Sequence, residues 1–63
     1  AKVVSEVERL PEELREVIML YYYDDLTYKE LGDILGVSPA TINVRLTRAR
    51  AILRDRLAEM NLR

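Results

Sequence analysis

The chain has 63 residues, with 10 Lys+Arg against 11 Asp+Glu, and no His, Cys or Trp. That length holds one small domain that buries only about 60% of its unfolded surface, yet 49% apolar residues with two Gly and two Pro specify a core rather than a disordered tract. Without Cys or His there is no disulfide framework, no thiolate nucleophile and none of the common zinc or copper ligands, which excludes most nucleophilic and metal-dependent enzymes.

Val3, Val7 and Leu10 recur at four and three residues and predict a first helix over about 2–10. Pro11 ends it and suits the first position of a second helix, 11–23, whose Glu12 and Glu13 oppose the helix dipole. Leu14, Val17, Ile18 and Tyr21 form its apolar stripe. The unbroken run Val17 to Tyr23 also suits a buried strand, but no partner strand exists in the remaining sequence, so a helix is expected. On a helix that run covers more than one face. Met19, Leu20, Tyr22 and Tyr23 then need either the first and last helices or another protein, and they are the candidate partner-binding residues. The same run falls far short of the roughly 20 residues of a membrane span, and no basic segment followed by an apolar stretch marks a signal peptide.

Asp24-Asp25-Leu26 is a break. Thr27-Tyr28-Lys29-Glu30 then has the T-x-x-E form of a capping box, opening a helix over 27–35 that stops at Gly36. After Val37, Ser38 caps a last helix with Pro39 in its first turn; it runs to about Met60, roughly 33 Å at 1.5 Å per residue. The expected fold is therefore all-α, with four helices and a helix-turn-helix over 27–50. Leu31, Leu35, Val37, Ile42 and Leu46 are its expected interior set, and Gly32 is expected to allow close helix approach.

Charge is unevenly placed. Residues 1–36 carry four basic and nine acidic side chains, whereas residues 37–63 carry six Arg against Asp55 and Glu59. An arginine-rich element suits phosphates, and a salt-bridged solvated helix is the plainer alternative. Taken at about 100° per residue, Ile42, Leu46, Ala49, Leu53 and Met60 line one side of the last helix. Ala40, Val44, Thr47 and Ala51, all short, lie opposite; Asn43 and Arg54 flank them on one side, Thr41 and Arg48 on the other. Arg45 and Arg50 fall nearer the core edges, from which a long side chain can snorkel outward. Such a strip lets a helix sit deep in a DNA major groove, with Val44 and Thr47 against thymine methyls, Asn43 at adenine and Arg48 at guanine or a phosphate.

Leu10-Pro11-Glu12-Glu13-Leu14-Arg15-Glu16-Val17, Leu26-Thr27-Tyr28-Lys29-Glu30-Leu31, Leu35-Gly36-Val37-Ser38, Thr41-Ile42 and Arg45-Leu46-x-Arg48-Ala49-Arg50 together resemble region 4 of bacterial sigma factors of the extracytoplasmic-function (ECF) group. The resemblance covers nearly the whole chain, and the R-L-x-R-A-R run is its most specific piece. It implies a wingless four-helix domain whose last helix binds the −35 promoter element in double-stranded DNA. It further implies docking on the β-subunit flap of RNA polymerase, an anti-sigma factor as a partner, a bacterial cytoplasmic location, and neither cofactor, membrane nor small-molecule substrate. By position, Pro39, Ala40, Thr41, Asn43, Val44, Arg45, Thr47 and Arg48 fall on the DNA-facing segment, with Arg50 counted among them as the end of the R-L-x-R-A-R run, and Thr27 and Tyr28 are placed for phosphate. Asn43 and Val44 stand where the family has a basic residue and a Ser-like one, which bears on base preference. Asp25 stands where Gly is common, and Asp tolerates a left-handed turn. The family's region 2 has no counterpart among these residues, leaving an excised domain and a stand-alone module both open.

Three other readings compete. A response-regulator output domain of the LuxR/NarL type shares the R-E-V and T-x-x-E elements, dimerises through its last helix, and lacks the R-L-x-R-A-R run. A protein-interaction module, for an anti-sigma factor or polymerase, would use Val17 to Tyr23 and the long last helix without binding DNA of its own. An enzyme is rejected, because the carboxylate pairs Glu12-Glu13 and Asp24-Asp25 sit at helix ends, where capping and solvation explain them.

Overall fold

The computed structural model describes the backbone of residues 2–61 and the side chains of residues 5–59, so the expected stripe members Val3 and Met60 lie outside the described side chains. Four helices follow one another: α1 Lys2–Glu8, α2 Glu12–Tyr23, α3 Tyr28–Leu35 and α4 Pro39–Asn61. The order and type match the sequence reading, and the boundaries shift by one or two residues for local reasons. A residue before proline is pushed out of the helical region, so α1 ends at Glu8 rather than Leu10. The Arg9 amide donates to both the Ser5 and Glu6 carbonyls, each at 3.2 Å. Pro11 is the N-cap of α2 and not its first residue, with φ −53° and ψ 147°. Its ring offers no capping acceptor, which leaves Glu12 and Glu13 in the first turn to answer the dipole.

The other boundaries are built as expected. The Glu30 amide donates to Thr27 Oγ1 at 3.2 Å and the Thr27 amide to Glu30 Oε1 at 3.0 Å, closing the capping box. The Thr41 amide donates to Ser38 Oγ at 3.2 Å at the start of α4. Asp25 takes the left-handed conformation at φ 53°, as expected of an Asp in a family glycine's place. Gly36 does the same at φ 73°, and the Val37 amide returns to the Gly32 carbonyl at 3.0 Å.

α4 is the spine, packing on α1, α2 and α3. Its 23 residues, about 34 Å at 1.5 Å each, account for most of the 40 Å long axis of a molecule otherwise 19 by 17 Å. The core joins Leu10 to Leu14, Val17 and Ile18 of α2, Leu31 of α3, and Ile42, Leu46 and Ala49 of α4. Leu35, Val37 and Leu53, expected inside, are half-buried and packed against it. One buried group escaped the sequence reading. Glu6 is only 2% exposed, and its carboxylate accepts from Arg56 Nη1 at 3.3 Å and Arg9 Nη1 at 3.4 Å. That pairing offsets its desolvation and fastens α1 to the far half of α4.

Candidate nucleic-acid interface

The three-residue link between α3 and α4 decides how the candidate surface is presented. Gly32 faces the link directly: a Cβ there would stand 2.5 Å from the Val37 carbonyl oxygen and 3.5 Å from Pro39 N. The close approach expected at Gly32 is thus to the turn itself, and it seats the first turn of α4 against α3. Burial of Ile42, Leu46 and Ala49 then fixes the rotation of α4 about its axis.

With that rotation set, Pro39, Ala40, Asn43, Val44, Thr47 and Arg48 are exposed, while Thr41 and Arg45 are half-buried at the edges. Val44 keeps 50% of its surface in water, directly opposite the core stripe, so no internal packing accounts for an apolar residue there. Ala51, placed by angle in the same strip, is half-buried and belongs to the rim instead. Among the described residues the ion-paired arginines are Arg9, Arg54 and Arg56, so Arg45 and Arg48 hold their charge uncommitted. Thr27 is exposed at the start of α3, beside a half-buried Tyr28.

Arg50 departs from the expected set. Its Nε donates to the Tyr22 hydroxyl at 3.2 Å, and its guanidinium carbon lies 5.5 Å from the Tyr21 ring centroid and 5.9 Å from that of Tyr22. The side chain is turned towards the end of α2, away from the strip of short residues. No spacing rule could have paired residues 22 and 50, since their contact depends on how α2 and α4 pack.

The candidate partner residues divide. Met19, Tyr22 and Tyr23 are exposed, Tyr23 by 70%, whereas Leu20 packs half-buried against the core and is spoken for within the domain. Beside Tyr22 and Tyr23 runs a groove of about 390 Å³, floored by Val7, Ile18, Leu53 and Leu57 and edged by Arg50 and Arg54.

A family model described as "Sigma-70, region 4" matches residues 1–53, which span α1, α2, α3 and the first two thirds of α4. The chain belongs to the sigma-70 region 4 family. Relatives of this region 4 chain include the RNA polymerase sigma factor FliA of Pseudomonas aeruginosa, 39% identical over 94% of the chain and 24% of that protein. The ECF RNA polymerase sigma factor SigW of Bacillus subtilis is 34% identical over 92% of the chain and 31% of its own length. The ECF sigma factor SigE of Mycolicibacterium smegmatis is 37% identical over 94% and 23%, respectively. The chain thus spans about a quarter to a third of the length of these relatives. No solved structure gives a significant match. The assignment decides for sigma region 4 over a response-regulator output domain, which the R-E-V and T-x-x-E elements alone could not do. Among the described residues, no helix is long and apolar enough to cross a membrane.

Proposed function

We propose that residues 1–63 act as one region 4 module of a sigma factor, reading the −35 promoter element through the exposed strip of α4 in the bacterial cytoplasm. The observation that carries this is the strip itself: Asn43, Val44, Thr47 and Arg48 are exposed on one side of α4, opposite the buried stripe, with Arg45 and Arg48 unpaired among the described residues. Its action is positioning rather than chemistry. Contacts to phosphate from Thr27, Tyr28 and Arg45 set the register, and base-edge contacts select the sequence. Asn43 suits the N6 and N7 edge of adenine, Arg48 the O6 and N7 edge of guanine, and Val44 and Thr47 the thymine methyl. Pro39, Ala40 and Thr41 bring the start of α4 close to the backbone.

The same module would dock on the RNA polymerase β-subunit flap, or be sequestered by an anti-sigma factor, through Met19, Tyr22, Tyr23 and the adjoining apolar groove. That surface lies on α1, α2 and the second half of α4, whereas the DNA-facing strip lies on the first half, so the two can be occupied together. Affinity of the chain alone is expected to be modest and strongly salt-dependent, because few cations face the duplex. The test is fluorescence anisotropy against short duplexes carrying GGAAC-like motifs, at low and moderate salt. Selective binding is expected, with Arg48→Ala costing about 1–3 kcal/mol and relaxing preference at one base pair. Uniform weak binding that ignores both Arg45→Ala and Arg48→Ala would refute promoter reading by α4.

A further inference from the structure

Two arginines separated by one residue on a helix lie about 200° apart around its axis. Arg48 and Arg50 therefore lie on different sides of α4, and the contacts of Arg50 place it on the α2 side. There it meets three tyrosines. Tyr21 stacks edge-on against Tyr22, with centroids 5.1 Å apart, and leans on Tyr28 at 5.7 Å. The Arg50 guanidinium lies over Tyr21 and Tyr22 and donates to the Tyr22 hydroxyl. The cluster joins the end of α2, the first residue of α3 and the middle of α4. Hydrogen bonding to Tyr22, against a smaller opposing effect of burial, raises the Arg50 pKa above its ordinary value; the guanidinium is charged at every accessible pH in any case.

We propose that Arg50 is a positioning residue, not a DNA contact: through Tyr22, Tyr21 and Tyr28 it locks the reading face of α4 against the start of α3. The inference rests on promoter reading by α4. A duplex must be met simultaneously by Thr27 and Tyr28 at the α3 start and by Asn43 to Arg48 on α4. Holding the two at a fixed angle beforehand removes an ordering cost from binding. The guanidinium suits the task because a planar cation with an Nε donor can lie on two rings and bond a hydroxyl together. A lysine ammonium cannot reproduce that geometry.

The test measures the 63-residue chain against its preferred duplex over a salt series, at a temperature where circular dichroism shows every variant folded. Arg50→Gln and Arg50→Lys should each weaken binding by about tenfold while leaving the slope of log affinity on log salt at the wild-type value. Tyr22→Phe should weaken binding in the same sense, and adding it to Arg50→Gln should cost nothing more. Wild-type affinity for Arg50→Lys together with a slope shallower by about one for Arg50→Gln would make Arg50 a phosphate contact and overturn the proposal. A lower melting temperature with unchanged binding by the folded variants would overturn it too, leaving a purely structural role. Failure of the wild-type chain to prefer any duplex would refute promoter reading itself, and that appears before any variant is compared.

Discussion

Gly32→Ala tests whether the turn of the helix-turn-helix is fixed by contact rather than by helix preference. Taken alone, the change should help, since alanine favours a helix interior by about 1 kcal/mol over glycine. The structure predicts the reverse. The new methyl would stand 2.5 Å from the Val37 carbonyl oxygen, and ordinary contact begins at 3.4 Å, so α3 and the turn must part by roughly 0.9 Å. No side chain can rotate to relieve this, because the opposing atom is backbone. That backbone is itself held by the Val37 amide on the Gly32 carbonyl at 3.0 Å. Overpacking at the upper end, about 3 kcal/mol, plus about 1 kcal/mol for the weakened hydrogen bond, less the helix gain, leaves a net loss of about 3 kcal/mol. A 63-residue domain holds about 3–9 kcal/mol in all, so the variant should retain about 0–6 kcal/mol, and its unfolding midpoint should fall by about a third or more. Urea unfolding followed by circular dichroism measures this directly. Gly36→Ala is the contrast: apart from its chain neighbours, no described atom lies within 4 Å of where the Cβ would stand, and only φ 73° opposes it, at about 1–2 kcal/mol, much of which Asn should recover. A Gly32→Ala chain within about 0.5 kcal/mol of wild type would refute the close-approach argument.

Leu46 is fully buried in the first half of α4, and Leu46→Ala should cost about 2–5 kcal/mol by thermal or urea unfolding; a loss under about 1 kcal/mol would mean the cavity collapses freely. Arg56→Met removes one of two cations from buried Glu6 and should destabilise by about 1–3 kcal/mol, while replacing both Glu6 and Arg56 by leucine should recover most of that loss. Equal instability of the single and double variants would count against the pairing. Hydrogen bonds from the Thr27 amide, then from its hydroxyl, hold the Glu30 carboxyl below its ordinary value. A pKa depressed by folding gives stability that is present above the unfolded carboxyl range and lost as pH falls through the folded value. Unfolding between about pH 6 and pH 3 should therefore show a shallower acid loss for Glu30→Gln than for wild type, and parallel curves would remove Glu30 from the capping box.

Sequence alone determined the elements, because their signals are local. Thr27 with Glu30, Ser38 ahead of Pro39, and Gly36 each act on backbone groups within four residues, so the boundaries of α3 and α4 could be read directly. The buried stripe of α4 followed from helical period, and it placed Asn43, Val44 and Arg48 outward before any packing was known. Local signals failed only by degrees, as at Pro11, where a fixed φ suits an N-cap as well as a first helical residue. What tertiary structure decided is every pairing between distant residues. Leu20 turned inward while Met19, Tyr22 and Tyr23 stayed exposed, because an apolar run on a helix says nothing about which neighbours will cover it. Arg50 and Arg48 look alike in the R-L-x-R-A-R run, yet one is clasped by tyrosines of α2 and the other is unpaired among the described residues. Glu6 reads as one more surface acid until α4 brings Arg56 to it across 50 residues. A charge or an apolar side chain has a type in the sequence, but its partner exists only once the helices have packed.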